Sequence, residues 1–168
     1  MITRKLTVYL LGIIMAVAAM SCSSNSGDIT ITANSSKNFS VTTTSYNGQY
    51  APRHVLAIWI EDSSGKFVKT LLVNAAARKS YLTSWISNSS GNVTDATTGA
   101  TLNSHSTHTA TWNGTNKSGT AVATGTYKLC VEYTEDNGTG KMKTTDFSYT
   151  TASAVKQAST EPAVTVNF

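Results

Sequence analysis

Short stretches in which apolar and polar residues alternate recur along most of the chain, and a period of two belongs to strands, whose successive side chains point to opposite faces. The stretches are Ile29–Ala33, Phe39–Thr43, Val55–Glu61, Phe67–Val73, Thr107–Trp112, Tyr127–Thr134, Lys143–Thr150 and Ala163–Phe168. In the sixth, Tyr127, Leu129, Val131 and Tyr133 share one face, and Lys128, Cys130 and Glu132 share the other. In the fifth, His108, Ala110 and Trp112 fall together. Glycine pairs such as Asn47-Gly48, Ser64-Gly65, Asn113-Gly114 and Asn137-Gly138 separate the runs and supply the positive φ that tight turns need. Asn137-Gly138 has alternating strands on both flanks and predicts the clearest hairpin. The pattern breaks in two places. Asn74–Trp85 is Ala-rich, with Ala75, Lys79 and Leu82 on one side of a helix, and predicts a short helix near 75–85. Ile86–Ser106 is polar apart from Val93 and Leu102 and reads as one long loop, of the kind that tends to carry function.

Composition supports this reading. Ser and Thr together number 49 (21 plus 28) in 168 residues, and β-branched Thr at that density suits half-exposed strands. Charged residues are 13% and prolines only two, which argues against a disordered tail, so the chain reads as a single all-β domain. The first residues are different in kind. Arg4 and Lys5 precede an apolar run, Leu6–Met20, that is shorter than a bilayer span and ends at Ser21-Cys22. This layout predicts a signal peptide over residues 1–21. The Cys after "AAMS" resembles a bacterial lipobox, which implies acylation of Cys22 and a lipid-anchored tether over 22–27. The remaining 28–168 would then be the folded domain, facing the periplasm or the outer membrane. Without the leader, 11 basic residues (13 − 2) stand against 9 acidic ones, a balance that gives no support to a nucleic-acid partner.

With Cys22 acylated, Cys130 has no cysteine to pair with, and with no His beside it in sequence it reads as a packed structural thiol. Trp59, Trp85 and Trp112 read as core or sheet-end packing. His54, His105 and His108 are conceivable metal ligands, but their spacing fits no standard zinc pattern and no acidic or Cys cluster accompanies them. No nucleophile elbow, zinc-protease helix or phosphate-binding Gly loop is present, so hydrolase chemistry finds no support. Asn-x-Ser/Thr triplets such as those at Asn88 and Asn113 are, behind a bacterial lipobox, a by-product of Asn and Thr abundance.

The stretches "HVLAIWIEDSSGKFVKTLLV" (His54–Val73) and "ATWNGTNKSGTAVATGTYKLCVEYTEDNG" (Ala110–Gly138) resemble the periplasmic family of domain of unknown function 2271. The second is also similar to the immunoglobulin-like domain of flagellar hook-capping proteins. These resemblances imply an immunoglobulin-like or fibronectin-like β-sandwich of seven to eight strands.

Inside the polar stretch stands "DATTGAT", Asp95–Thr101, which is similar to the Asp-x-x-Ser/Thr-Gly-Ala-Ser/Thr acceptor motif of flavin transferases. The resemblance implies covalent FMN on Thr101, delivered from FAD by a flavin transferase, and electron exchange with a membrane redox partner such as a PepSY-type reductase. Each residue type has a rationale. Gly99 and Ala100 keep the approach clear of bulk, Thr98 offers a hydroxyl for local backbone bonding, and Asp95 can position the segment or reach a transferase metal. Thr101 has no reactivity of its own, so activation must come from the transferase. The implied role is a redox carrier and not a stand-alone enzyme. His105, His108 and Trp112 follow closely enough to border a flavin. The alternative reading is a cofactor-free immunoglobulin-like module that binds or braces the cell envelope.

Overall fold

In a computed structural model, residues 36–150 and 164–167 are described. The leader, Cys22, the tether and the strand expected at Ile29–Ala33 lie outside them. Eight strands among the described residues form two sheets: β1 (Lys37–Thr42), β2 (Val55–Asp62), β3 (Phe67–Asn74), β4 (Thr97–Gly99), β5 (Thr107–Trp112), β6 (Gly125–Thr134), β7 (Lys141–Tyr149) and β8 (Val164–Asn167). One sheet has the order β5-β1-β8 and the other β4-β3-β2-β6-β7. Most neighbours are antiparallel, but β1 pairs with β8 in parallel from Phe39↔Val164 to Thr42↔Asn167, and β3 pairs with β4 in parallel from Leu72↔Thr97 to Asn74↔Gly99. The fold is the all-β sandwich the alternation predicts.

Between the sheets, Phe39, Val41, Ala110, Trp112 and Val166 meet Leu56, Ile58, Ile60, Leu129, Val131 and Phe147. The period-two faces hold here: Thr107, Thr109 and Thr111 are exposed while Ala110 and Trp112 are buried. β2 departs from simple alternation, because both of its faces are covered. Val55, Ala57 and Trp59 point away from the partner sheet and join Val73, Cys130, Leu82 and Trp85 in a second core. The cover is helix α1 (Thr83–Ser89), preceded by a 3-10 turn at Lys79–Tyr81.

The helix therefore starts later than the Ala-rich signal at 75–85 suggests, and the reason is a long-range cap. No side chain at Leu82 caps α1. Instead the buried carboxylate of Glu132, on β6, accepts the N–H groups of Trp85 at 2.8 Å and Ser84 at 3.1 Å. A carboxylate on the first free N–H groups satisfies them and complements the helix dipole. Trp85, fully buried, anchors the other end of the contact by donating its indole N–H to Thr70 Oγ1 at 3.0 Å.

The hairpin expected at Asn137-Gly138 joins β6 to β7, and Tyr133 pairs with Lys141 across a connection longer than a two-residue turn. The extra residues have work elsewhere. Glu135 Oε2 accepts the N–H groups of Tyr46 and Gly48, and Asp136 Oδ1 accepts that of Gln49, so the loop clamps the segment between β1 and β2. At Asn113-Gly114 the glycine is required twice over: its φ is +70°, and a Cβ there would overlap the Tyr149 phenol.

Candidate functional site

The acceptor-like segment is seated on the sandwich edge. Thr97–Gly99 forms β4 against β3, a strand that the polar stretch 86–106 did not announce, and Ala75 N–H donates to the Gly99 carbonyl at 3.1 Å. Three residues on, His54 and Leu102 exchange backbone hydrogen bonds of 3.0 and 2.9 Å. At the upstream end Asp95 adopts a left-handed φ of 56° and its carboxylate lies 3.3 Å from Lys69 Nζ, which also donates to Thr115 Oγ1. Lys69 is buried on β3, so the ammonium ties the start of the segment to the sheet.

The other residues of the segment separate. Thr98 and Ala100 are exposed, and the Thr98 hydroxyl makes no backbone hydrogen bond of the kind expected. Gly99 has an internal reason to be glycine: a Cβ would run into the Asn74 side chain on β3. Thr101 is half-buried, and its Oγ1 is fully covered with no hydrogen-bond partner. Hydroxyls buried in this state are uncommon, since leaving a polar atom unpaired costs about 1–3 kcal/mol. Where an open, accessible hydroxyl is expected, the structure has one that is closed off, beside a backbone pinned by the His54–Leu102 exchange.

Thr101 also lines a cavity of about 380 Å³ whose walls include Tyr50, Arg53, Arg78 and Asn103. Thr98 and Gly99 line another, of about 300 Å³, with Val73, Val93 and Lys79. Both volumes fall at the small end of ligand pockets. Neither arginine was singled out by the sequence. Arg78 lay within the Ala-rich stretch read as helix, and Arg53 carries no motif at all.

Behind the segment the three histidines converge, although no spacing rule brought them together. The His54 and His105 rings stack at 3.9 Å and 3°, and His108 stands edge-on to His54 at 6.3 Å. A hydrogen-bonded line runs through His54 and His105, while His108 Nε2 is buried outside it without a partner. His54 Nδ1–H donates to the Pro52 carbonyl at 3.1 Å, and its Nε2 lies 3.4 Å from Thr43 Oγ1. Thr43 Oγ1 is 3.0 Å from His105 Nδ1, and His105 Nε2–H donates to Glu135 Oε1 at 2.7 Å. The carbonyl at one end and the carboxylate at the other only accept. Burial holds His54 down at about 4, against the Pro52 hydrogen bond, with His105 and His108 lowering it further. Burial, then His105, lowers His108 as well. Burial alone would raise Glu135, but hydrogen bonds from Gly48, Ser45, His105 and Tyr46 outweigh it and bring the carboxyl to about 2. No three His, Cys, Asp or Glu side chains among the described residues are disposed as metal ligands. Cys130 is inert by its surroundings, its thiol pushed up to about 12 by burial and by Glu61.

The described residues thus form an all-β two-sheet domain whose acceptor-like segment lies along a sheet edge, with Thr101 at the wall of a cavity. The family is plain: the model described as "Predicted periplasmic protein (DUF2271)" matches residues 36–167, and the chain belongs to that family. No curated protein and no solved structure matches it. No described helix is long and apolar enough to cross a membrane.

Proposed function

We propose that this protein is an extracytoplasmic flavin carrier, tethered to a bilayer through acylated Cys22 and loaded with FMN on Thr101 by a flavin transferase. In the transfer the Thr101 oxygen bonds to the FMN-side phosphorus of FAD, the pyrophosphate P–O bond breaks, AMP leaves, and the threonine proton passes to a base of the transferase. The bound flavin would supply the electron chemistry, exchanging electrons with a membrane partner of PepSY type. The chain's own part is to hold the ester, shield it and orient it.

One observation carries this reading: the hydroxyl that ends the acceptor motif is a buried oxygen without a partner, at the wall of a ligand-sized cavity. An ester at that oxygen removes the donor that has nothing to bond. The covered hydroxyl also implies that transfer takes place on a segment lifted from its seat, with the His54–Leu102 and Ala75–Gly99 hydrogen bonds open, and that the loaded segment then closes again.

The test is co-expression with a flavin transferase, followed by a denaturing gel under ultraviolet light and intact mass. A fluorescent wild-type band, retained in Thr98→Ala and lost in Thr101→Ala, is expected. A wild-type chain that stays at its polypeptide-plus-lipid mass would instead favour a cofactor-free envelope module.

A further inference from the structure

We propose that Arg53 and Arg78 form a phosphate-binding subsite, with Tyr50 as its aromatic wall, that seats the phosphoryl group of a flavin mononucleotide beside Thr101. The inference rests on the flavin reading for the identity of the ester but on separate residues for its evidence.

Both arginines line the cavity that Thr101 lines, and neither is in an ion pair among the described residues. The nearby carboxylates are committed elsewhere. Glu135 is held by Tyr46, Gly48 and His105, and Asp136 by the Gln49 N–H. Two guanidinium groups, neither of them in an ion pair, therefore border one cavity. A phosphate between two arginines gains charge-assisted hydrogen bonds from both.

Arg78 is also fixed in place. Its Nε–H donates to Asn137 Oδ1 at 3.2 Å, and an Nη2–H donates to the Asp136 carbonyl. Its guanidinium carbon stands 4.5 Å from the Tyr50 ring centroid and 5.8 Å from that of Tyr81. Asn137 Nδ2–H in turn donates to Tyr50 Oη at 2.7 Å, which locks ring and guanidinium to one support. All these partners are neutral, so the cation is positioned without being neutralised. A guanidinium has five N–H donors, and the two used here leave three, the fork that suits phosphate oxygens. A tyrosine face and a guanidinium plane are both surfaces on which a flat, conjugated ring stacks. A phosphate ester carrying an aromatic ring meets all three features, whereas inorganic phosphate uses only the charges.

The subsite is tested without covalent attachment. The full chain, prepared without a transferase, is titrated with FMN and with riboflavin, following flavin fluorescence. FMN is expected to bind at least tenfold more tightly than riboflavin, with inorganic phosphate competing against FMN and not against riboflavin. Arg53→Gln and Arg78→Gln should each bring FMN toward the riboflavin affinity. Arg53 is exposed and has no side-chain hydrogen bond, so R53Q tests the idea even if R78Q disturbs the loop. Equal affinity for FMN and riboflavin, binding of neither, or Arg53→Gln and Arg78→Gln both matching wild type would overturn the subsite. Arginine-dependent FMN binding by a chain that no transferase modifies would keep the subsite and sink the covalent reading. A flavinylated Thr101 whose fluorescence and reduction potential ignore both arginine substitutions would do the reverse.

Discussion

Acidification should unfold this protein in two stages, and the stacked histidines set the first. His54 is fully buried and neutral, with its pKa lowered from 6.5 to about 4 by burial. A group whose folded pKa lies below its unfolded one binds fewer protons when folded, so its contribution is present above pH 6.5 and is lost as pH falls toward 4. At about 1.4 kcal/mol per unit, the cost is about 2 kcal/mol by pH 5 and about 3 kcal/mol by pH 4. His108 adds in the same direction. Glu135, lowered from 4.5 to about 2, governs the second stage, between those values. The assay is urea unfolding at pH 7, 6, 5 and 4 by tryptophan emission, which reports the whole fold because Trp59, Trp85 and Trp112 are all fully buried. For a typical dependence on urea, 2 kcal/mol moves the midpoint by on the order of 1 M. In His54→Gln the protein should be weaker at pH 7 but lose much less between pH 7 and 5. If wild type is flat across that interval, or the substitution leaves the slope as steep, the claim that His54 is held neutral by its burial is wrong.

Four further outcomes follow from the packing. Glu132→Ala should lower stability by about 2–4 kcal/mol, because it strips the buried acceptor from the Ser84 and Trp85 N–H groups; chemical denaturation with far-ultraviolet dichroism measures it, and a loss below 1 kcal/mol would mean that α1 finds another cap. Gly114→Ala should cost about 3 kcal/mol, combining a left-handed φ with overlap on Tyr149, whose ring backs Trp112 at 4.7 Å; a thermal melt at the wild-type temperature would contradict this. Asp95→Asn should change stability by less than about 1 kcal/mol, since its carboxylate is 67% exposed and its tie to Lys69 is screened. Cys130 should resist iodoacetamide in the folded protein and react after unfolding, as its raised thiol and complete burial demand; rapid native alkylation would place it nearer the surface than the second core.

The strands were legible because alternation is written in neighbouring residues. Thr107–Trp112 emerges with the bounds its pattern gave, and Tyr127–Thr134 gains only Gly125 and Thr126 at its start. What escaped depends on residues far apart in the chain. α1 begins at Thr83 because Glu132 waits for it on β6, and no local propensity encodes that. β4 is three residues of polar sequence that become a strand only through the parallel edge offered by Leu72–Asn74. The acceptor motif was readable as a string, but the seating of its far end is a His54–Leu102 exchange between residues 48 positions apart (102 − 54). Arg53 and Arg78 matter only through the cavity they share, which sequence does not display. The inward side of His108 could be read from its common face with Ala110 and Trp112, but the line from His54 through Thr43 and His105 to Glu135 joins residues that no local pattern connects.

The parallel pairing of β1 with β8 joins the earliest described strand to the latest, with β1 lying between β5 and β8. A ribosome or a translocation pore delivers β1 long before β8, so the small sheet cannot be completed until Val164–Asn167 has emerged. Long-range closure of this kind is slow compared with local hairpins. Until then β1 can pair only with β5, and one of its edges stays open.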